Sequence, residues 1–158
     1  MMQLQTYTNS TRLWLAAADA QGDEPEHRHQ GSEETEARSL RILIVEDEFF
    51  ISLDTKALLK GLGHTVVAIA VSADEAVRMA EKERPDLVLM DIRLIGPRDG
   101  IDAAAEIQRR FAIPSIFVTA NTDAVTRGRA QAVAPIGFLE KPLTEPRLRA
   151  GLMALRGK

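Results

Sequence analysis

From residue 40 onward, short apolar runs alternate with longer stretches whose apolar positions return every three or four residues. Residues 40–45 form an apolar run of the length of a buried parallel strand. Phe50, Leu53, Ala57 and Leu58 then recur near the helical period, and Gly61 and Gly63 close that helix. Residues 65–70 read as a second strand. Ser72 is placed to cap the following helix, with Glu75 three residues later to complete a capping box. After Pro85, residues 86–90 make a third strand. A loop of Gly, Pro and Asp at 95–100 leads into a helix ending near Arg110, and residues 114–119 form strand four. Helix at 122–130, a very short strand at 136–139 and a closing helix at 144–155 complete the pattern.

Five strands alternating with five helices predict an α/β fold: a doubly wound, five-stranded parallel sheet covered on both faces, because parallel strands need right-handed crossovers. The strands are too few and too short for an eight-stranded barrel. In such open sheets ligands bind beyond the carboxyl ends of the strands, where the strand order reverses. The residues that follow each apolar run are therefore the ones that matter for chemistry.

Composition separates the first 39 residues from the rest. They hold seven acidic and three basic side chains, against sixteen and seventeen in residues 40–158. Residues 21–39 offer little to bury and read as a linker, while 11–20 could form a short helix with Leu13, Trp14 and Ala17 on one side. The expected domains are an N-terminal extension, 1–39, and a folded domain, 40–158. A net charge of −3 with no run of basic residues argues against direct nucleic-acid binding. The absence of cysteine excludes disulfides, thiolate zinc sites and a cysteine nucleophile. No apolar run is long enough for membrane insertion, and the apolar stretch at 13–20 is too short for a secretion signal, so a cytoplasmic protein is expected.

At the predicted strand ends stand Glu46, Asp47 and Glu48, then Asp91, then Thr119, then Glu140, Lys141 and Pro142. Converging carboxylates repel unless a cation or hydrogen-bond donors offset them, and Mg²⁺ suits such an oxygen-rich site. Lysine supplies a mobile positive charge for a phosphoryl oxygen, and threonine a donor. Together they describe a carboxylate nucleophile that attacks phosphorus and forms an acyl phosphate.

These residues carry a resemblance. Val45-Glu46-Asp47-Glu48, Leu89-Met90-Asp91-Ile92, Val118-Thr119-Ala120 and Leu139-Glu140-Lys141-Pro142 resemble, in order and spacing, the four signature blocks of response-regulator receiver domains of bacterial two-component signalling. The resemblance implies a CheY-like, flavodoxin-like (βα)5 fold with strand order 2-1-3-4-5. It implies Asp91 as phosphoacceptor, Asp47 as direct metal ligand, Glu46 as the acid holding metal-bound water, and the backbone carbonyl of Arg93 as a further Mg²⁺ ligand. Thr119 and Lys141 would contact the phosphoryl oxygens, and the Lys141–Pro142 peptide bond would be cis. Thr119, Phe138 and Pro142 fall at switch positions. Phe138 stands where receivers commonly carry a tyrosine or other aromatic, and the weak fourth helix around Gly128, Ala132, Ala134 and Pro135 resembles variant receivers of alphaproteobacterial stress signalling.

The implied function is a phosphorylation-controlled module of a phosphorelay. It would take its phosphoryl group from a histidine kinase or histidine phosphotransfer protein and switch binding to a downstream protein or to itself. Because the chain ends on the closing helix, no DNA-binding output module is expected after it. A constitutive adaptor with an unused pocket, or a Mg²⁺-dependent phosphohydrolase, remain alternatives; the latter would lack a second acid two residues beyond Asp91, where Arg93 stands. Taken singly, Asp47, Asp91, Thr119 and Lys141 are each compatible with ordinary cap or surface positions, and Phe138 with plain packing. His27 and His29 are read as solvated, His64 as a turn residue, and Gly96, Pro97 and Gly100 as a turn that frees the backbone beside Asp91 rather than a phosphate loop.

Overall fold

The computed structural model describes residues 38–120 and 122–157. The short helix expected at 11–20, Trp14, His27 and His29 lie outside the described residues, as does most of the expected linker.

Five strands and five helices alternate: β1 Arg41–Val45, α1 Phe49–Gly61, β2 Thr65–Ala70, α2 Ala73–Glu83, β3 Leu87–Asp91, α3 Gly100–Phe111, β4 Ser115–Thr119, α4 Ala124–Ala132, β5 Gly137–Glu140 and α5 Glu145–Met153. A turn of 3-10 helix, Ala154–Gly157, follows. All pairings are parallel, in the order β2-β1-β3-β4-β5. The chain leaves β1 towards β2 and returns on the other side to β3, so the order reverses between β1 and β3. In a doubly wound sheet ligands are expected to bind at that point.

Strand alternation divides the core in two. Leu43, Val45, Val88, Met90 and Phe117 meet α2 and α3 on one face. Ile42, Ile44, Leu87, Leu89, Ile116 and Val118 meet Leu59 of α1 and Leu148 and Leu152 of α5 on the other. Period-2 side-chain placement makes both faces of β1, β3 and β4 apolar, which is why these strands read as continuous hydrophobic runs.

Three local expectations are corrected. On α1 the buried residues are Ser52, Thr55 and Leu59, while Phe50 and Leu53 are exposed, as is Ala57. The Ser52 hydroxyl can be buried there because it donates to the Phe49 carbonyl (2.7 Å), leaving little unpaired polarity. At α2, Ser72 Oγ accepts from Glu75 N–H (3.3 Å), but Glu75 reaches the Val71 N–H (2.8 Å), so the box is not reciprocal. The complete capping box lies on α3, between Asp99 and Asp102. Finally, α4 starts at Ala124, after Asp123 caps the Thr126 N–H (2.9 Å), two residues later than its composition suggests. His64 does lie in the turn before β2, where its Nδ1 accepts from Leu40 N–H (3.2 Å).

Candidate functional site

The carboxyl ends of β1 and β3 deliver three carboxylates to one point. Glu46 and Asp47 follow β1, Asp91 ends β3, and oxygens of all three lie within 4.8 Å of one another. Glu46 is nearly as buried as the core, anchored by its N–H to the Ala70 carbonyl (3.0 Å), and Asp91 is buried as well. Asp47 is half-exposed, and Glu48 faces outward.

A lysine answers this concentration of charge. Lys141, from the loop after β5, places Nζ 2.6 Å from Asp91 Oδ2 and 2.7 Å from Glu46 Oε2. Asp91 Oδ1 accepts from the Arg93 N–H (2.9 Å), and Glu46 Oε1 from the Glu48 N–H (3.2 Å). Burial raises the Glu46 carboxyl above its ordinary value and the Asp91 charge adds to this, against the hydrogen bonds from Lys141 and Glu48. Burial acts against the Lys141 ammonium, yet its bonds to Asp91 and Glu46 raise it overall. The pocket thus holds excess negative potential that one ammonium offsets in part.

Lys141 is held by its backbone: its N–H donates to the Thr119 carbonyl (2.8 Å), and its peptide bond to Pro142 is cis. Thr119 is buried at the end of β4, next in the sheet to Asp91. The Thr119 and Phe138 side chains share a cleft of about 310 Å³ with Ala120, Arg127, Glu140 and Arg147. The Phe138 ring stacks on Phe117 (centroids 5.7 Å apart, 29° between planes) under the Arg127 guanidinium (5.5 Å). Pro142 lines a separate groove of about 320 Å³ beside Ile51, Thr55 and Leu58 of α1. Glu46, Asp91 and Lys141 therefore meet directly, Asp47 stands close to the two acids, Thr119 stands on the neighbouring strand end, and Phe138 and Pro142 flank the pocket.

With this geometry in hand, the sequence profile of the response regulator receiver domain matches residues 42–153. The chain belongs to that family. Among curated relatives of this receiver it is 40% identical over 102 residues to the phyllosphere-induced regulator PhyR of Methylorubrum extorquens, covering 64% of this chain and 38% of that protein. It is 38% identical over 104 residues to the transcriptional regulatory protein PdtaR of Mycobacterium tuberculosis, covering 66% and 50% respectively. The chain thus spans half or less of these relatives. The receiver domain of a modulated diguanylate cyclase from Desulfovibrio desulfuricans superposes with a TM-score of 0.72 at 36% identity, covering 76% of this chain and 96% of that one. The anti-anti-sigma factor PhyR of Bartonella quintana does so with a TM-score of 0.64 at 30% identity, covering 78% and 49%. No helix among the described residues is long and apolar enough to cross a membrane.

Two features of this receiver were not read from its sequence. Gly100 is the first residue of α3 rather than part of a freeing turn: it is buried so closely on the Asp91 carbonyl that a Cβ there would overlap the oxygen. The Asp-x-x-Asp spacing of a capping box, with Gly in between, was the available signal. Arg129 also bonds Asp99 and Asp102, across 30 and 27 residues of sequence, and no local pattern announces it.

Proposed function

We propose that this receiver accepts a phosphoryl group on Asp91 from a histidine kinase or histidine phosphotransfer protein and thereby switches its binding to a protein partner or to a second copy of itself. The observation that carries this is Lys141 Nζ bridging Asp91 and Glu46 inside a three-carboxylate pocket. A lysine so placed neutralises Asp91 before transfer and can move its charge to a phosphoryl oxygen afterwards. In the transfer, an Asp91 carboxylate oxygen forms the new bond to phosphorus while the phosphorus–nitrogen bond of the donor phosphohistidine breaks, and the imidazole leaves with the electron pair. Thr119 supplies a hydroxyl from the adjacent strand end to a phosphoryl oxygen, and the Arg93 N–H continues to hold Asp91.

Mg²⁺ fits the donor set, since the oxygens are hard and convergent. Glu46, Asp47 and Asp91, with the backbone carbonyl of Arg93, would hold it, and when bound it would supply further positive charge to offset the carboxylates and the incoming phosphoryl group. Residues 40–158 form the receiver in this reading, and residues 1–39 an extension. The pocket's role is phosphoryl acceptance for signalling in the cytoplasm, not turnover of a substrate.

Exposure of the full chain to acetyl phosphate and Mg²⁺ should yield a single adduct of about 80 Da that hydroxylamine removes, as expected for an acyl phosphate. Asp91→Ala should abolish it. An adduct that persists in the variant, or none in the wild type, would overturn the assignment.

A further inference from the structure

Of the nine residues of α4, Ala130 is the buried one, so apolar packing anchors this helix weakly. A polar fork supplements it. The Arg129 guanidinium donates through Nη1 to Asp99 Oδ2 (2.8 Å) and through Nη2 to Asp102 Oδ1 (3.2 Å). The same two carboxylates use their other oxygens to close the α3 capping box, Asp99 Oδ1 accepting from Asp102 N–H (3.0 Å) and Asp102 Oδ2 from Asp99 N–H (3.3 Å). All four carboxylate oxygens are thus engaged. Burial alone would raise the Asp99 carboxyl, but the Arg129 bond and the Asp102 and Ile101 N–H groups outweigh it and hold it below its ordinary value.

Gly100 lies between the two acids and against the phosphoacceptor. Its N–H donates to the Ile92 carbonyl (3.0 Å), and its Cα packs on the Asp91 carbonyl with no room for a side chain. One residue further on, the Arg93 N–H holds Asp91 Oδ1. The start of α3 therefore pins the backbone from Asp91 to Arg93, and Arg129 pins the start of α3. Isolated exposed ion pairs contribute little, because both side chains must be ordered. Here the acceptors are already ordered by the cap, and the planar guanidinium presents its donors to the two carboxylates in a fixed fork rather than as a mobile point charge.

We infer that Arg129 is a positioning residue for phosphoryl uptake: by clamping the Asp99–Asp102 cap it holds Gly100 on Asp91 and sets the carboxylate's presentation. This rests on the reading of Asp91 as phosphoacceptor. It links α4 to the pocket along a route separate from Thr119 and Phe138, and because equilibrium coupling is reciprocal, a group on Asp91 acts back on α4 through the same contacts.

The test compares Arg129→Met, Arg129→Lys, Asp102→Asn and the Arg129→Met/Asp102→Asn double variant in the full chain. Amide hydrogen exchange at Arg93 is measured without metal, and uptake from acetyl phosphate at saturating Mg²⁺ alongside it. Arg129→Met should speed Arg93 exchange and slow uptake by about threefold or more each, the size of coupling carried by such networks. Lysine should recover part of the loss, and the double variant should be no worse than the more affected single. Unchanged exchange and uptake, or effects that add in the double variant, would overturn the inference. Faster exchange with unchanged uptake would reduce Arg129 to a loop tether and overturn the positioning role. A wild type that takes up no phosphoryl group would instead defeat the phosphoacceptor reading, a result separable from these because the exchange measurement needs no transfer.

Discussion

Replacing Lys141 with methionine keeps most of the side-chain volume and removes the ammonium that contacts both Asp91 and Glu46. At 2.6 and 2.7 Å each contact is worth roughly 6 kcal/mol of gross attraction at an effective dielectric of about 20. Desolvating three ions offsets most of that, since the Lys141, Glu46 and Asp91 side chains are only 14%, 5% and 7% exposed. The asymmetry lies in breaking the group: two nearly buried carboxylates would remain without their partner, at a cost of about 3 kcal/mol. The sign with pH follows from Glu46. Its carboxyl is already raised above 4.5 in the folded protein and would rise further without Lys141. The folded variant would then hold a proton that the unfolded chain releases, so stability falls as pH rises from about 4.5 towards that raised value and recovers as pH falls. Lys141 itself is charged throughout, because its ordinary value of 10.5 is raised further on folding. Urea denaturation at pH 7 and pH 4.5, with and without Mg²⁺, reads these effects. Lys141→Met should be less stable by about 3 kcal/mol at pH 7 without metal and by markedly less at pH 4.5, and millimolar Mg²⁺ should restore more stability to the variant than to the wild type. A loss equal at both pH values and indifferent to Mg²⁺ would refute the charge-compensation reasoning.

Thr119→Ala should leave phosphoryl uptake within about threefold of wild type while reducing the phosphorylation-dependent gain in partner affinity or self-association by about 1 kcal/mol or more, read by titration of partner or of the chain against beryllofluoride-treated protein. Gly100→Ala should destabilise by about 1–3 kcal/mol and depress uptake, because the new methyl meets the Asp91 carbonyl, whereas Gly128→Ala in α4, with open space around it, should stabilise by roughly 0.5–1 kcal/mol; thermal denaturation of both checks the contrast. Ser115→Ala should be neutral or stabilising by up to about 1 kcal/mol in urea denaturation, since the Ser115 hydroxyl is buried with no hydrogen-bond partner among the described residues.

Strand positions and the chemistry at their ends were legible along the chain because each depends on neighbours a few residues away. Buried parallel strands must be apolar on both faces, so the runs at 40–45, 86–90 and 114–119 stand out, each within a residue of the observed strand, and the polar residue at the end of each run marks the sheet edge where ligands bind. Asp91 and Thr119 at the ends of β3 and β4 follow from that rule, and Glu46 and Lys141 from the same reading of β1 and β5. The face of α1 was only partly legible: of Phe50, Leu53, Ala57 and Leu58, which show helical spacing, Leu58 packs against the core, while the buried residues are Ser52, Thr55 and Leu59. Spacing reports that a helix has a face, while packing against the strands and α5 decides how that helix is rotated. Nor could spacing pair Arg129 with Asp99 and Asp102, or press Gly100 on Asp91, since these contacts exist only once α4 and the start of α3 lie side by side. Hydrophobic pattern and turn chemistry act locally and so can be read in one dimension; helix rotation and long-range charge pairing are settled by packing, which depends on every element at once.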